Sequence, residues 1–224
     1  MMPRPAVTRM VEDYVTLIWK AYEWPGGQPT TTDLAAQLGV TASTVSANLK
    51  KLARDEYIRY EPYGRIELTD TGRSVAVEIV RRHRILETYL HQHLGLAWDQ
   101  VHAEADQLEH ALSDLVLERM DAAIGHPSHD PHGDPIPDAD GRIVTAHSGL
   151  LADAAPGTEV VVVRVSDRSP DILRYLDERG ITIGAVLQVA AVNTAAASIA
   201  LHSGQGPIEI SLSAAKAVRV DRRN

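Results

Sequence analysis

Between residues 6 and 24 the apolar positions Val7, Met10, Val11, Tyr14, Leu17, Ile18 and Ala21 recur at helical spacing, and Pro25-Gly26-Gly27 ends the run. The stretch "TTTDLAAQLG" predicts a short second helix, with hydroxyl or Asp caps, an apolar face of Leu34, Ala35 and Leu38, and Gly39 as a left-handed terminator. After Gly39-Val40-Thr41, "ASTVSANLKKLARDEY" sets Val45, Leu49 and Leu52 on one stripe and leaves Ser43, Thr44, Ser46, Ala47, Asn48, Lys50 and Lys51 outside it. Two helices joined by so short a turn predict a helix-turn-helix. The pattern then changes to alternation in "YIRYEPYGRIELT", where Ile58 and Tyr60 face Ile66 and Leu68 across Pro62-Tyr63-Gly64, the signature of a β-hairpin wing.

"LTDTGR" offers Thr69 or Asp70 as the cap of a long helix running to the interruption at Gly95. A second long helix is expected over "WDQVHAEADQLEHALSDLVLERMDAAI", with Val101, Ala105, Leu108, Leu112, Leu115 and Val116 as its apolar stripe. From residue 126 the chain is dense in Pro, Gly, His and Asp, which reads as a linker to about 148. Beyond it "GTEVVVVRVS", "AVLQVAAVN", "SIALHSG" and "PIEISL" are short β-rich runs around a helical turn at "SPDILRYLDERG", which fits a small β-barrel. The expected fold is mainly α with small β elements. Its domains are a winged helix-turn-helix over 1–74, a helical domain over 75–125, a linker over 126–148 and a β domain over 149–224.

Composition sharpens this picture at two points. There is no cysteine among the 224 residues, so disulfides, thiolate nucleophiles and sulfur-ligated zinc or iron–sulfur sites are excluded, and any metal must be held by nitrogen and oxygen. The net charge of −8 is uneven: residues 76–125 carry four Lys/Arg against nine Asp/Glu, whereas residues 1–75 balance. Within the balanced segment, residues 41–54 hold Lys50, Lys51 and Arg54 with no acid before Asp55, a local basic patch. With neither a signal-like start nor an apolar run of membrane length, a cytoplasmic location with no membrane partner is expected.

A helix presented with a wing fits the major groove, where outward polar side chains read base edges. Thr41, Ser43, Thr44, Ser46, Ala47 and Asn48 are the expected base-reading positions, Lys50, Lys51 and Arg54 the phosphate contacts, and Tyr63 with Arg65 the wing tip. A purely structural helical pair with a polar face is the alternative. The surplus apolar face of the long helices, and the two-fold symmetry of palindromic half-sites, predict a homodimer on double-stranded DNA, with no small organic substrate.

The stretch "HAEADQLEH" carries His102, Asp106, Glu109 and His110 at i, i+4, i+7 and i+8, within a sector roughly 100° wide on a helix. Solvent exposure alone would account for polar residues there. The preceding helix, however, adds His83 and Glu87 at the i, i+4 spacing that lets two side chains grip one ion, and Asp13 lies at the margin of the first apolar stripe.

With these motifs in view the sequence resembles the diphtheria-toxin-repressor family of metal-dependent transcriptional repressors, in its manganese-sensing branch with a C-terminal SH3-like, FeoA-like domain. The resemblance rests on "VEDYVTLIW", "TASTVSANLKKL", "LTDTGR", "RRHRILETYL", "VHAEADQLEHALSD", "PHGDPIP" and "DAAPGT". It implies a helical dimerisation domain, a principal metal site of Asp13, Asp106, Glu109 and His110, and an ancillary site of His83, Glu87 and His102. Asp171, Asp167, Asp130 and His132 are the alternatives for completing the second. Where iron sensors of the family place Met and Cys, this chain has Asp13 and Asp106; hard oxygen ligands with imidazole suit Mn(II), with Fe(II), Co(II) or Zn(II) as possible substitutes. Thr16 stands where the smaller manganese sensors have a further carboxylate. The implied function is Mn(II)-activated repression of metal-homeostasis genes from palindromic operators. An Fe(II)-responsive regulator is the near alternative and a metal-dependent hydrolase the distant one, for which no "HExxH" or nucleophile elbow is present.

Overall fold

The computed structural model describes residues 7–61, 64–144 and 148–223. They divide into two compact units: the described residues up to Arg82 together with Pro137–Arg142, and His83–Ile136 together with the described residues from Ile143 on.

The first unit begins with α1 (Arg9–Tyr22), α2 (Thr31–Leu38) and α3 (Ala42–Arg54). Thr30 caps α2 by accepting from the Asp33 N–H, and Thr41 caps α3 by accepting from the Thr44 N–H. Gly39 ends α2 at φ 64°, a conformation that costs an L side chain energy and leaves room for the tight turn. Strands β1 (Ile58–Tyr60) and β2 (Ile66–Leu68) pair antiparallel, Ile58 opposite Leu68 and Tyr60 opposite Ile66. The expected turn residues Pro62 and Tyr63 lie outside the described residues. Val11, Tyr14, Val15, Ile18, Leu34, Val45, Leu49, Leu52, Ile58 and Ile66 close one core. Thr69, rather than Asp70, caps the long helix α4 (Asp70–Leu94), since its Oγ1 accepts from the Gly72 N–H at 3.1 Å.

From His83 on, α4 belongs to the second unit, with α5 (Val101–Leu108) and α6 (Asp114–Ala123). The single long helix expected over residues 98–124 is therefore broken. Ser113 accepts from the Val116 N–H and starts a new helix, so the expected stripe splits: Val101 and Ala105 are buried, whereas Leu108, Leu115 and Val116 are exposed. Residues 130–136 differ from a loose linker too. No named helix or strand falls among them, yet Asp130, His132, Asp134 and Ile136 are buried. Asp130 Oδ1 organises the turn, accepting from the N–H groups of His132 and Asp134 at 2.9 Å each.

The C-terminal strands are β3 (Gly149–Leu150), β4 (Glu159–Val165), β5 (Val186–Asn193), β6 (Ser198–Ser203), β7 (Gly206–Ser211) and β8 (Val218–Arg222), with helices α7 (Pro170–Asp177) and α8 (Leu212–Ala215). All pairings are antiparallel in the order β3-β8-β4-β5-β6-β7, and register shifts at Val162/Arg164 and Val189/Ala191 bend the sheet around one core. β3 and β8 were not singled out from the sequence, although Val218 and Val220 alternate with Arg219 and Asp221 as a half-buried strand does. Among the described residues no helix is long and apolar enough to cross a membrane.

Gly133 fixes the buried turn against the sheet. Its φ is +81°, and a Cβ there would lie 2.1 Å from the Val163 carbonyl oxygen. Gly133→Ala is expected to lower stability by more than about 1 kcal/mol, read as a lower denaturation midpoint; an unchanged midpoint would show that the turn yields freely.

Candidate metal centre and nucleic-acid interface

The outward face of α3 is a run of small polar and basic side chains. Thr41, Ser43, Thr44, Ala47, Lys50 and Lys51 are exposed, as is Arg65 beside β2. Several of the expected contacts already have partners within the chain: Thr41 Oγ1 lies 2.8 Å from Ser43 Oγ and 2.9 Å from Thr44 Oγ1. Asn48 is half-buried and donates to the Tyr14 hydroxyl at 3.1 Å, Ser46 donates to the Ala42 carbonyl at 3.0 Å, and Arg54 pairs with Asp55 at 2.9 Å. Asn48 thus braces α3 on α1 with its amide nitrogen, which leaves the two lysines and the mutually hydrogen-bonded hydroxyls of Thr41, Ser43 and Thr44 as the exposed face.

In the second unit, α4 and α5 bring four carboxylates and three imidazoles together with help from two loops. His83 and Glu87, one turn apart on α4, are both buried. The His83 ring spans two groups of ligands: Nε2 lies 2.9 Å from Glu87 Oε1 and 3.0 Å from His102 Nδ1, while Nδ1 lies 2.7 Å from Glu109 Oε2 and 3.3 Å from Asp106 Oδ1. His102 Nδ1 is also 3.1 Å from Glu87 Oε1 and 3.1 Å from Asp167 Oδ2. Asp167, in the loop between β4 and α7, is therefore the candidate that meets His83, Glu87 and His102. Asp171 is not: its side chain is 88% exposed and ion-paired to Arg174 one turn along α7. The sequence leaves Asp171, Asp167, Asp130 and His132 open as alternatives, and of these Asp167 is the one grouped with His83, Glu87 and His102. Glu109 caps the end of α5, and His110 follows in the turn with Nε2 3.5 Å from Glu109 Oε1. Asp13 belongs to the first unit, on α1, where Arg9 approaches it at 4.0 Å.

His132 and Asp130 occupy the buried turn on the other side of Glu87. His132 Nε2 lies 2.7 Å from the Trp98 carbonyl oxygen, and its Nδ1 faces Glu87 Oε2 at 3.7 Å. Burial raises the Glu87 carboxyl, but the imidazoles of His83, His102 and His132 outweigh it and hold the group well below the usual carboxylate range. Burial lowers the His132 imidazole, yet Glu87, Asp130 and Asp167 push it up to about 10. Burial and the like charges of Asp134 and Glu87 raise the Asp130 carboxyl well above its usual range, against His132 and Arg84.

The donors fit a divalent cation. Ligand atoms 2.9–3.1 Å apart around His83, Glu87, His102 and Asp167 are spaced like neighbouring corners of an octahedron with bonds of about 2.1 Å. The set is purely oxygen and imidazole, the donor chemistry of a hard divalent cation, and a bound cation would offset the repulsion among its clustered carboxylates. A winged helix with a basic reading face, followed by a buried carboxylate–imidazole cluster, defines a DNA-binding protein equipped to bind a metal.

Comparison with known proteins finds three family matches along the chain. Residues 6–66 match the iron-dependent repressor N-terminal DNA-binding domain, residues 69–138 the iron-dependent repressor metal-binding and dimerisation domain, and residues 150–222 the FeoA domain. The chain is 30% identical over 225 residues to the diphtheria toxin repressor of Corynebacterium efficiens, covering 94% of each chain. It is 35% identical over 126 residues to the iron-dependent repressor IdeR of Mycobacterium tuberculosis, a match spanning 56% of this chain and 54% of that protein's length. A solved structure described as a manganese-dependent transcriptional repressor complex with manganese superimposes with a TM-score of 0.90 at 41% identity, covering 95% of this chain and 100% of that one. The chain belongs to the diphtheria-toxin-repressor family, a family of metal-dependent transcriptional repressors and not of enzymes.

Proposed function

We propose that the chain is a cytoplasmic, homodimeric repressor that binds palindromic operator DNA when loaded with Mn(II), and so controls metal-homeostasis genes. The observation that carries this reading is the sulfur-free donor set: His83, Glu87, His102 and Asp167 in one group, Asp106, Glu109 and His110 beside it. Oxygen and imidazole favour Mn(II) over the softer-ligand preferences of later metals.

The ancillary ion would be held by His83, Glu87, His102 and Asp167. The resemblance assigns Asp13 to the principal site with Asp106, Glu109 and His110. Bound at these positions, the cation supplies positive charge and a fixed coordination shape. Without it, Glu87, Asp106, Glu109 and Asp167 repel one another, and Asp13 has no shared ligand to hold the reading head in its DNA-competent arrangement. The population of that arrangement, and with it the apparent operator affinity, falls accordingly. By linkage, operator DNA tightens metal binding by the same factor. Leu108, Leu115 and Val116 are exposed in the single chain, apolar surface of the kind that a second copy covers. The boundaries of this scheme are the four segments expected from the sequence, with residues 126–148 acting as connection and, at 130–136, as part of the packed interior.

Mn(II), Fe(II), Co(II) and Zn(II) should be titrated at one ionic strength against a duplex selected from a random pool. Activation at the lowest free concentration, relative to cellular availability, is expected for Mn(II); activation by Fe(II) alone would favour the iron-responsive alternative. Lys51→Ala is expected to weaken binding to all duplexes alike and to reduce the slope of log affinity against log salt by about 1. An unchanged slope would remove Lys51 from the phosphate contacts.

A further inference from the structure

Trp98 lies far from the C-terminal strands in sequence but inside their core in the structure. It precedes α5, yet it is 9% exposed and joins the buried core that holds Leu151, Val162, Leu173, Leu187 and Val218. Among the described residues, every other buried member of that core lies between 151 and 220. The indole Nε1 has no hydrogen-bond partner there, so packing rather than a polar bond holds the ring. A tryptophan can bury on the order of 150–250 Å², which makes one such side chain a substantial anchor.

Two more links run from the same short segment. Asp99 Oδ2 accepts from an Arg174 N–H at 2.9 Å, and His102 Nδ1 lies 3.1 Å from Asp167 Oδ2. Asp167 sits in a loop whose two sides, Val165 at the end of β4 and Leu173 on α7, are both built into the core that Trp98 enters. Residues 98–102 and 165–174 are thus joined at three places. The Asp99–Arg174 pair is too open to water to fix the loop alone, since the Arg174 side chain is 53% exposed. The His102–Asp167 contact joins two groups assigned to one ion, which would replace it. The indole is the anchor that persists with or without the ion.

We propose that Trp98 is a positioning residue of the ancillary metal site: by inserting into the core of the C-terminal strands it holds the Asp167 loop within reach of His102. A ligand supplied from another part of the fold weakens the apparent affinity by the fraction of time it is away. Trp98 removes that loss, because the loop is already docked when the metal arrives. This rests on the reading of Asp167 as an ancillary ligand.

A double-mutant cycle on the full-length protein tests it. Wild type, Asp167→Ala, Trp98→Ala and the double variant are titrated with Mn(II), free ion being read by electron paramagnetic resonance, and each thermal midpoint is recorded in chelator. Asp167→Ala is expected to weaken one class of bound Mn(II), which marks the ancillary ion. Wild-type binding in that variant would remove the ancillary reading of Asp167 and this inference with it. Trp98→Ala is expected to weaken the same class by about 10- to 100-fold, the range seen when a group that orients a ligand is lost. Trp98→Phe should restore most of that affinity, and the double variant should bind no more weakly than Asp167→Ala. The fall in thermal midpoint, by contrast, should follow Trp98→Ala in both backgrounds, so a merely structural role parts from a positioning role in the metal titration. Wild-type Mn(II) affinity in Trp98→Ala, or losses that add in the double variant, would overturn the positioning role while leaving Asp167 a ligand. If Trp98→Ala does not fold, Trp98→Leu takes its place in the cycle and is read in the same way.

Discussion

His83→Ala is expected to destabilise the metal-free protein by about 3–5 kcal/mol, well beyond the cost of an exposed histidine such as His202. His83 is 1% exposed and lies between two carboxylates, with Glu109 on Nδ1 and Glu87 on Nε2. Removing the ring leaves buried acidic groups facing a cavity and facing each other. The same ring is the one residue shared by the group His83, Glu87, His102 and Asp167 and the group His83, Asp106 and Glu109. The variant should therefore also lose most of the rise in thermal midpoint that Mn(II) gives the wild type, because a ligand that binds only the folded state stabilises it in proportion to its affinity. Thermal unfolding of both proteins, chelated and in Mn(II), checks this. A variant as stable as the His202→Ala control when chelated would contradict the buried-cluster reading, and a full Mn(II)-dependent rise would remove His83 from the ligands.

The second large effect concerns DNA. Asp13→Ala is expected to abolish the stimulation of operator binding by metal, a loss of roughly 5- to 150-fold at saturating Mn(II), while the dimer stays intact. The substitution removes a ligand that the resemblance assigns from the first unit and leaves His83, Glu87, His102 and Asp167 in place, so metal binding by the second unit should persist. Operator affinity, bound metal and sedimentation, measured together, separate these outcomes. Retained stimulation would rule out Asp13 as the link through which metal reaches the reading head.

Much of this could be read from the sequence because periodicity reports local structure directly. Val45, Leu49 and Leu52 share one stripe and are buried together, and the alternation at 58–68 gives the strand register observed. The break before α6 was less visible because the apolar positions from Val101 to Val116 fit one helical period. The signal against a continuous helix was the single pair Ser113-Asp114, a cap followed by an acid in the first turn. The turn at 130–134 was hidden for a different reason. A Pro-, Gly- and Asp-rich composition describes a chain without helix or strand, but whether such a chain is solvated or packed depends on tertiary partners. Here Asp130 satisfies the turn's own N–H groups, and Gly133 allows close approach to Val163. The choice of Asp167 over Asp171 had no local signal at all, since both are acids four residues apart and only the fold turns one towards His102.

The most direct test is the affinity of the full-length chain for its selected duplex, followed by fluorescence anisotropy at fixed ionic strength while free Mn(II) is buffered from chelated to saturating. A rise in affinity of roughly 5- to 150-fold that tracks occupancy of the metal centre is predicted. Equal affinity in chelator and in saturating Mn(II) would contradict the claim that a divalent cation switches this protein onto DNA.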